Sequence, residues 1–272
     1  MSNGLLYNAE YDINRCRLRL TDKAGNIIVS FVVPTAVPKD DETLPLMFLS
    51  KQDNSYVTLK QVGGSIGTYK TSTDGTTWSS YSMGTSIKLN NDESVFFKRI
   101  SGGLVPTPDS QLVKFSMVGK IEAYNNLYSM TNHWDSGYGS KLLNYAFVNM
   151  FEGCSSLYRA PMLPPIPLST QDGTGMQYYK TFKGCTNLTE APYIPYTTIN
   201  ANGCMYQMFQ GCSRLAKVRC AATTLDTSYQ NGCFREWLDG VSATGDFYCN
   251  PNTAWASGAD GIPTGWTRHG LS

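Results

Sequence analysis

Arginine and apolar residues alternate from Arg15 to Leu20: Cys16, Leu18 and Leu20 fall on one parity and Arg15, Arg17 and Arg19 on the other. A period of two predicts a half-buried strand. DKAGN (Asp22 to Asn26) supplies a turn. IIVSFVV (Ile27 to Val33) is apolar at both parities, a strand that needs cover on two faces. Pro34 and Pro38 end it. Residues 1–40 are expected to form a β-hairpin, which is marginal alone in water. Cys16, Leu18, Leu20, Ile27, Val29, Phe31 and Val33 are therefore the candidate anchoring residues. Their cover is either a neighbouring subunit or partner, or the next domain.

Residues 41–116 open with a polar linker and continue as short strand-like runs. These are LMFLS, SYVTLKQV, GTYKTS, TTWSSYS, TSIKLN and SVFFKRI, separated by QDNS, GGSIG, TDGT and NNDE. Regular spacing of this kind predicts a small β-sandwich. STDGTTW (Ser72 to Trp78) resembles the Asp-box of sialidases, one residue short. It predicts a turn with Asp74 and Gly75 at its tip and Trp78 entering the core.

From residue 117 to 272 the chain repeats itself. F-x-G-C-x-x-L occurs with Cys154, Cys185 and Cys212, and a degenerate copy places Val241 where a fourth Cys would stand, at spacings of 31, 27 and 29 residues. Periods of this size predict a β-solenoid whose units bury their apolar faces on one another. Phe151, Phe182, Phe209 and Leu238 are expected to form one core column, and Leu157, Leu188 and Leu215 another. Ala160, Ala191 and Val218 follow three residues on, and Met162, Tyr193 and Cys220 five residues on, also facing inward. Arg159, Glu190 and Lys217 then form an outer row of alternating sign. The fold class is mainly β: an N-terminal hairpin, a small sandwich, and a leucine-rich-repeat-like solenoid with short helical turns.

Composition narrows the function. Lys+Arg 22 against Asp+Glu 21 gives no basic excess, so nucleic acid is not an expected partner. No apolar run approaches the length of a membrane span, and MSNGLLYNAE lacks a secretory pattern, so folding in a cytoplasm is expected. Seven of the eight cysteines fall into repeat columns: Cys154, Cys185 and Cys212; Cys204 and Cys233; Cys220 and Cys249. Without C-x-x-C they read as small buried residues with free thiols, holding neither zinc nor disulfides. The only histidines are His133, near Asp135 in a Gly-rich loop, and His269. Neither lies in a nucleophile signature, no carboxylate spacing proposes a glycosidase pair, and VGGSIG is not a phosphate loop. No catalytic residue, cofactor or metal site is expected.

MFEGCSSLYRAPMLP and TFKGCTNLTEAPYIP resemble BspA-type leucine-rich repeats. GKIEAYNNLYSM resembles their lead-in, YKTSTDGTTWSSYSMGTSIKLNNDESVFFKR the small β domain often found before them, and the stretch with Trp255 and Trp266 their closing cap. The resemblance covers about residues 44 to 268. The third repeat departs from it, with Val218-Arg219 in place of Ala-Pro. The repeat core it marks is Phe151, Cys154, Leu157, Phe182, Cys185, Leu188, Phe209, Cys212 and Leu215. The resemblance implies adhesion and assembly: a structural protein, fibre or head or tail decoration, of a phage of gut Bacteroides-like anaerobes, located in the virion. Its implied partners are other virion proteins and itself, as a homo-oligomer such as a trimer, and a host-surface glycan or protein. The alternative is a bacterial cell-surface BspA-like adhesin, which would need export.

Overall fold

The computed structural model describes residues 40–63, 67–101, 113–131, 141–168, 175–225 and 230–271, with Ala24 and the backbone of the strands between 8 and 32. The protein is mainly β, built from several sheets, none of them closed. It divides into two compact units, Met1–Asp41 and Glu42–Ser272.

In the first unit β1 (Asn8–Asp12), β2 (Arg17–Thr21) and β3 (Ile27–Val32) form an antiparallel sheet in the order β1-β2-β3. The hairpin expected from the sequence is β2 and β3. The polar segment NAEYD adds β1, which no apolar alternation announces. Cys16 and Val33 lie outside the described residues.

In the second unit all six strand-like runs form strands. They are β4 (Met47–Ser50), β5 (Ser55–Gln61), β6 (Thr68–Ser72), β7 (Ser79–Ser80), β8 (Ser86–Leu89) and β9 (Ser94–Ser101). Next come β10 (Val113–Val118), β11 (Ile121–Tyr124) and β12 (Leu157–Arg159). One sheet has the order β10-β5-β8; the other runs β12-β11-β4-β9-β6-β7. Phe48 and Phe97 from the second sheet meet Phe115 from the first, with ring centroids 4.8 and 5.3 Å apart. The lead-in segment is tied down by buried polar groups. Leu46 N–H donates to Ser129 Oγ at 2.9 Å, and Ser129 Oγ–H donates to the Phe97 carbonyl at 3.0 Å.

The six-stranded sheet does not stop before the repeats: β12, in the first repeat, pairs in parallel with β11. The remaining strands are β13 (Thr198–Ile199), β14 (Lys217–Cys220), β15 (Thr224–Leu225), β16 (Gly245–Cys249) and β17 (Trp266–Gly270). β14, β16 and β17 pair in parallel in that order, and β13 pairs in parallel with β15. A continuous set of buried residues extends from Leu46 to Trp266.

Candidate functional site

Between their strands the first three repeats form successive tight turns rather than helices, and the fourth opens with one short helical turn, α1 (Gln230–Cys233). In the first repeat the N–H groups of Phe147, Asn149, Phe151 and Gly153 donate to Gln177, Tyr179, Thr181 and Lys183 of the next repeat. The intervening N–H groups of Val148, Met150, Glu152 and Cys154 close turns onto the residue three back. The same alternation joins the second repeat to the third and the third to the fourth. Every fourth residue is left-handed: Asn149 and Gly153, Lys180 and Gly184, Gln207 and Gly211, Glu236 and Gly240. Gly184 has φ 73, and a Cβ there would come no closer than 3.6 Å to Gly153 Cα. The left-handed backbone, rather than crowding, therefore selects glycine in the motif.

Phe151, Phe182 and Phe209 are fully buried and stacked, with centroids 5.2 and 5.5 Å apart and ring planes within 2° and 4° of parallel. Phe115 of β10 extends the stack at 5.3 Å. At the far end Leu238 holds the register position, but Trp237 supplies the ring that meets Phe209, at 6.4 Å. Leu157, Leu188 and Leu215 are fully buried.

Each motif cysteine has a hydrogen-bonding task. The thiols of Cys154, Cys185 and Cys212 donate to the carbonyls of Phe115, Phe151 and Phe182, at 3.2, 3.2 and 3.0 Å. Each thiol reaches one level back along the phenylalanine stack. Burial pushes Cys154 and Cys212 up to about 12, and Cys185 well above the ordinary thiol range. Cys220 and Cys249 are free and buried, and they face each other as Cα partners across β14 and β16. The second column departs from expectation: Cys204 and Cys233 are joined by a disulfide, with Cα atoms 5.0 Å apart. The stacking that aligned them in sequence also brings them within bridging reach.

Two inward assignments need correction. Tyr193 is 44% exposed and Met162 is only half-buried; Leu163 and Ile194 are the buried residues. Ile194 sits opposite Cys220 in an isolated parallel bridge. Ala191 N–H donates to Lys217 O and Ile194 N–H to Arg219 O, so three steps along the second repeat match two along the third. The Ala-Pro dipeptide inserts one extra residue there, and proline has no N–H to give the ladder.

The outer row is also rearranged. Glu190 pairs with Lys217 at 3.2 Å and Arg219 at 3.1 Å. Arg159 instead donates to the Ala123 carbonyl at 2.6 Å and lies 4.0 Å over the Tyr124 ring. On β16 and β17, His269 Nε2 lies 2.6 Å from Asp246 Oδ1 and its ring stacks on Tyr248 at 4.7 Å. Sequence distance hid this pairing; the parallel register, which sets Asp246 beside Thr267 and Tyr248 beside His269, creates it. His133 and Asp135 lie outside the described residues.

At the Asp-box-like turn, Asp74 Oδ1 accepts from Thr77 N–H at 2.6 Å, Ser72 Oγ–H at 2.7 Å and Thr76 N–H at 2.8 Å. Slight desolvation pushes its carboxyl up, but these bonds outweigh it and hold the group well below the usual carboxylate range. Trp78 packs half-buried beside Met47, Leu49, Phe96 and Tyr124, with Lys98 Nζ 4.8 Å over its ring. A groove of about 260 Å³ lies along Pro165, Pro167, Pro195 and Tyr196. The Tyr196 hydroxyl is engaged by Tyr178 and donates to the Pro164 carbonyl, and the described residues lining the groove include no carboxylate, histidine or lysine. Among the described residues no His, Cys, Asp and Glu cluster could hold a metal ion.

No family model, curated protein or solved structure matches this chain.

Proposed function

We propose that the protein is a non-enzymatic structural component of a phage particle, a fibre or decoration of head or tail. On this reading Glu42–Ser272 combines a small β-sandwich with BspA-like leucine-rich repeats wound as a β-solenoid, and Met1–Asp41 is the assembly unit. One observation carries the reading. The N-terminal register aligns Ala9, Leu20 and Val29 in one row and Tyr11, Leu18 and Phe31 in another, while Glu10 pairs with Arg19 and Asp12 with Arg17 on the alternate rows. Among the described residues of that unit there is one sheet and no second layer. A small unit with a single sheet and no second layer buries little core of its own, so its apolar rows call for a partner surface. The repeats support the same reading: their recurring residues are used in packing, and their outer faces are left for contact.

The test is deletion of residues 1–38. The full chain is expected to be oligomeric by sedimentation and present in purified particles. The truncated chain should be folded, monomeric and absent from them. Normal incorporation of the truncated chain, or a monomeric full chain missing from particles, would overturn the reading.

A further inference from the structure

We infer that the outer face of the sheet β10-β5-β8 binds a carboxylated polysaccharide. The inference gives the proposed fibre or decoration a ligand and rests on that reading. Strand parity divides this sheet cleanly. Val57, Leu59, Val113, Phe115 and Leu89 are buried in the core, so the alternate positions face outward. The register arranges those positions in three rows. Lys60 stands directly opposite Lys114. Ser116, Thr58 and Ser86 form the next row; Thr58 is buried with its hydroxyl 2.8 Å from that of Ser86, so half-buried Ser116 and exposed Ser86 carry the open hydroxyls. Val118, Tyr56 and Lys88 form the third, and Val118 is 57% exposed.

Like charges set opposite one another weaken a strand pair. Glu152 relieves Lys114 from the neighbouring turn, at 3.5 Å. Lys60 and Lys88 are exposed and make no ion pair among the described residues. No acidic residue occupies any of the three rows. The face therefore presents an exposed cation at each end, Lys60 in the first row and Lys88 in the third, with hydroxyls between them and Tyr56 and Val118 beside Lys88, in rows roughly 7 Å apart along the strands. A uronic-acid polymer presents the complementary set: carboxylates, hydroxyls and the C–H face of the sugar ring. Nucleic acid fits less well. Three lysines neutralise few phosphates, and no pair of ring faces lies open on the rows to stack bases.

The experiment measures binding of the full-length protein to polygalacturonate, neutral dextran and single-stranded DNA by affinity electrophoresis and titration calorimetry. Retardation by polygalacturonate alone is expected, weakening as salt is raised. The double variant Lys60→Glu and Lys88→Glu alters two exposed side chains. It should lose at least tenfold in affinity while its melting curve is unchanged. Absence of polygalacturonate binding, equal binding to dextran, tighter binding to DNA, or an unaffected double variant would each overturn the inference. Particle incorporation of the same variant separates the two proposals. A variant that loses the polysaccharide but still incorporates supports both, and a binding-competent protein that never enters particles removes only the virion reading.

Discussion

Replacing Phe182 by alanine tests whether the repeats are coupled through one packed stack. The ring is fully buried between Phe151 and Phe209, in near-parallel contact at 5.2 and 5.5 Å. Truncating a buried phenylalanine costs about 3–5 kcal/mol, because the lost transfer energy adds to the cavity left behind. Phe182→Leu keeps most of the volume and forfeits two ring contacts, a loss of about 1–3 kcal/mol. With a urea slope of about 3 kcal/mol per molar for a unit of this size, the alanine variant should lower the midpoint by about 1 to 1.7 M. Far-UV circular dichroism reports all sheets, while fluorescence reports the five tryptophans, among them Trp237, Trp255 and Trp266 near the closing end and Trp78 near β6 and β7. Both signals should shift together, since the stack runs from β10 through three repeats. Lys183→Ala, one residue away and half-buried, should stay within about 0.5 kcal/mol. A midpoint change below about 0.3 M for Phe182→Ala, or equal effects at Phe182 and Lys183, would refute the column argument.

The buried thiols of Cys154, Cys185, Cys212 and Cys220 should resist alkylation in the native protein at pH 8 and react on unfolding; native reactivity would contradict their burial. Peptide mapping without reductant should recover Cys204 linked to Cys233, and exchanging both for serine should lower thermal stability; recovery of both as free thiols would remove the bridge. Asp74→Asn should cost about 1 kcal/mol near neutral pH, because solvent screens this exposed turn. Its folded carboxyl lies below the unfolded value near 3.9, so the contribution is complete above that pH and is lost as pH falls toward the folded value. The wild-type and Asn stability curves should therefore converge below about pH 4, and a constant gap would refute the assignment. A Glu190 and Lys217 double-mutant cycle should give about 0.2–1 kcal/mol at low salt and less at high salt, while no such coupling should appear between Arg159 and Glu190.

What the sequence disclosed was what burial demands of residue type. Leu157, Leu188 and Leu215 had to be inside, and a recurring Phe could only stack on itself. The errors arise where backbone geometry shifts the count. The Ala-Pro step exchanged Tyr193 for Ile194, because parity rules assume that no residue is inserted. The turns that join the repeats place Lys180 and Gln207 in left-handed conformations, for which neither side chain carries a sequence signal. β1 was missed because its pattern is polar and its pairing is specified by β2. The Asp246 and His269 pair was invisible for a different reason: only the parallel register of β16 and β17 brings residues of such separation side by side.

The junction between the β domain and the repeats is the point at which these strands of reasoning meet. The boundary expected near residues 116 and 117 falls inside β10, whose Phe115 does three things at once. Its ring stacks on Phe151, its N–H donates to Met150 O at 2.8 Å, and its carbonyl accepts the Cys154 thiol. On the other sheet, β11 joins β4 to the first repeat strand β12. The six-stranded sheet therefore continues from the β domain into the first repeat, and β10 meets that repeat through Phe115, so the strands β10 and β11 act as the first rung against which the repeats stack. A repeat array otherwise ends in an exposed apolar face, which needs a cap. Here the upstream sheets supply that cap at one end, and the aromatic cluster of Trp237, Trp255, Phe234 and Phe247 supplies it at the other. Among the described residues both ends of the stacked core are therefore covered. The outer rows are where the repeats differ most, Arg159, Glu190 and Lys217 among them, while the core columns exchange one apolar residue for another, as at Leu238 and Val241.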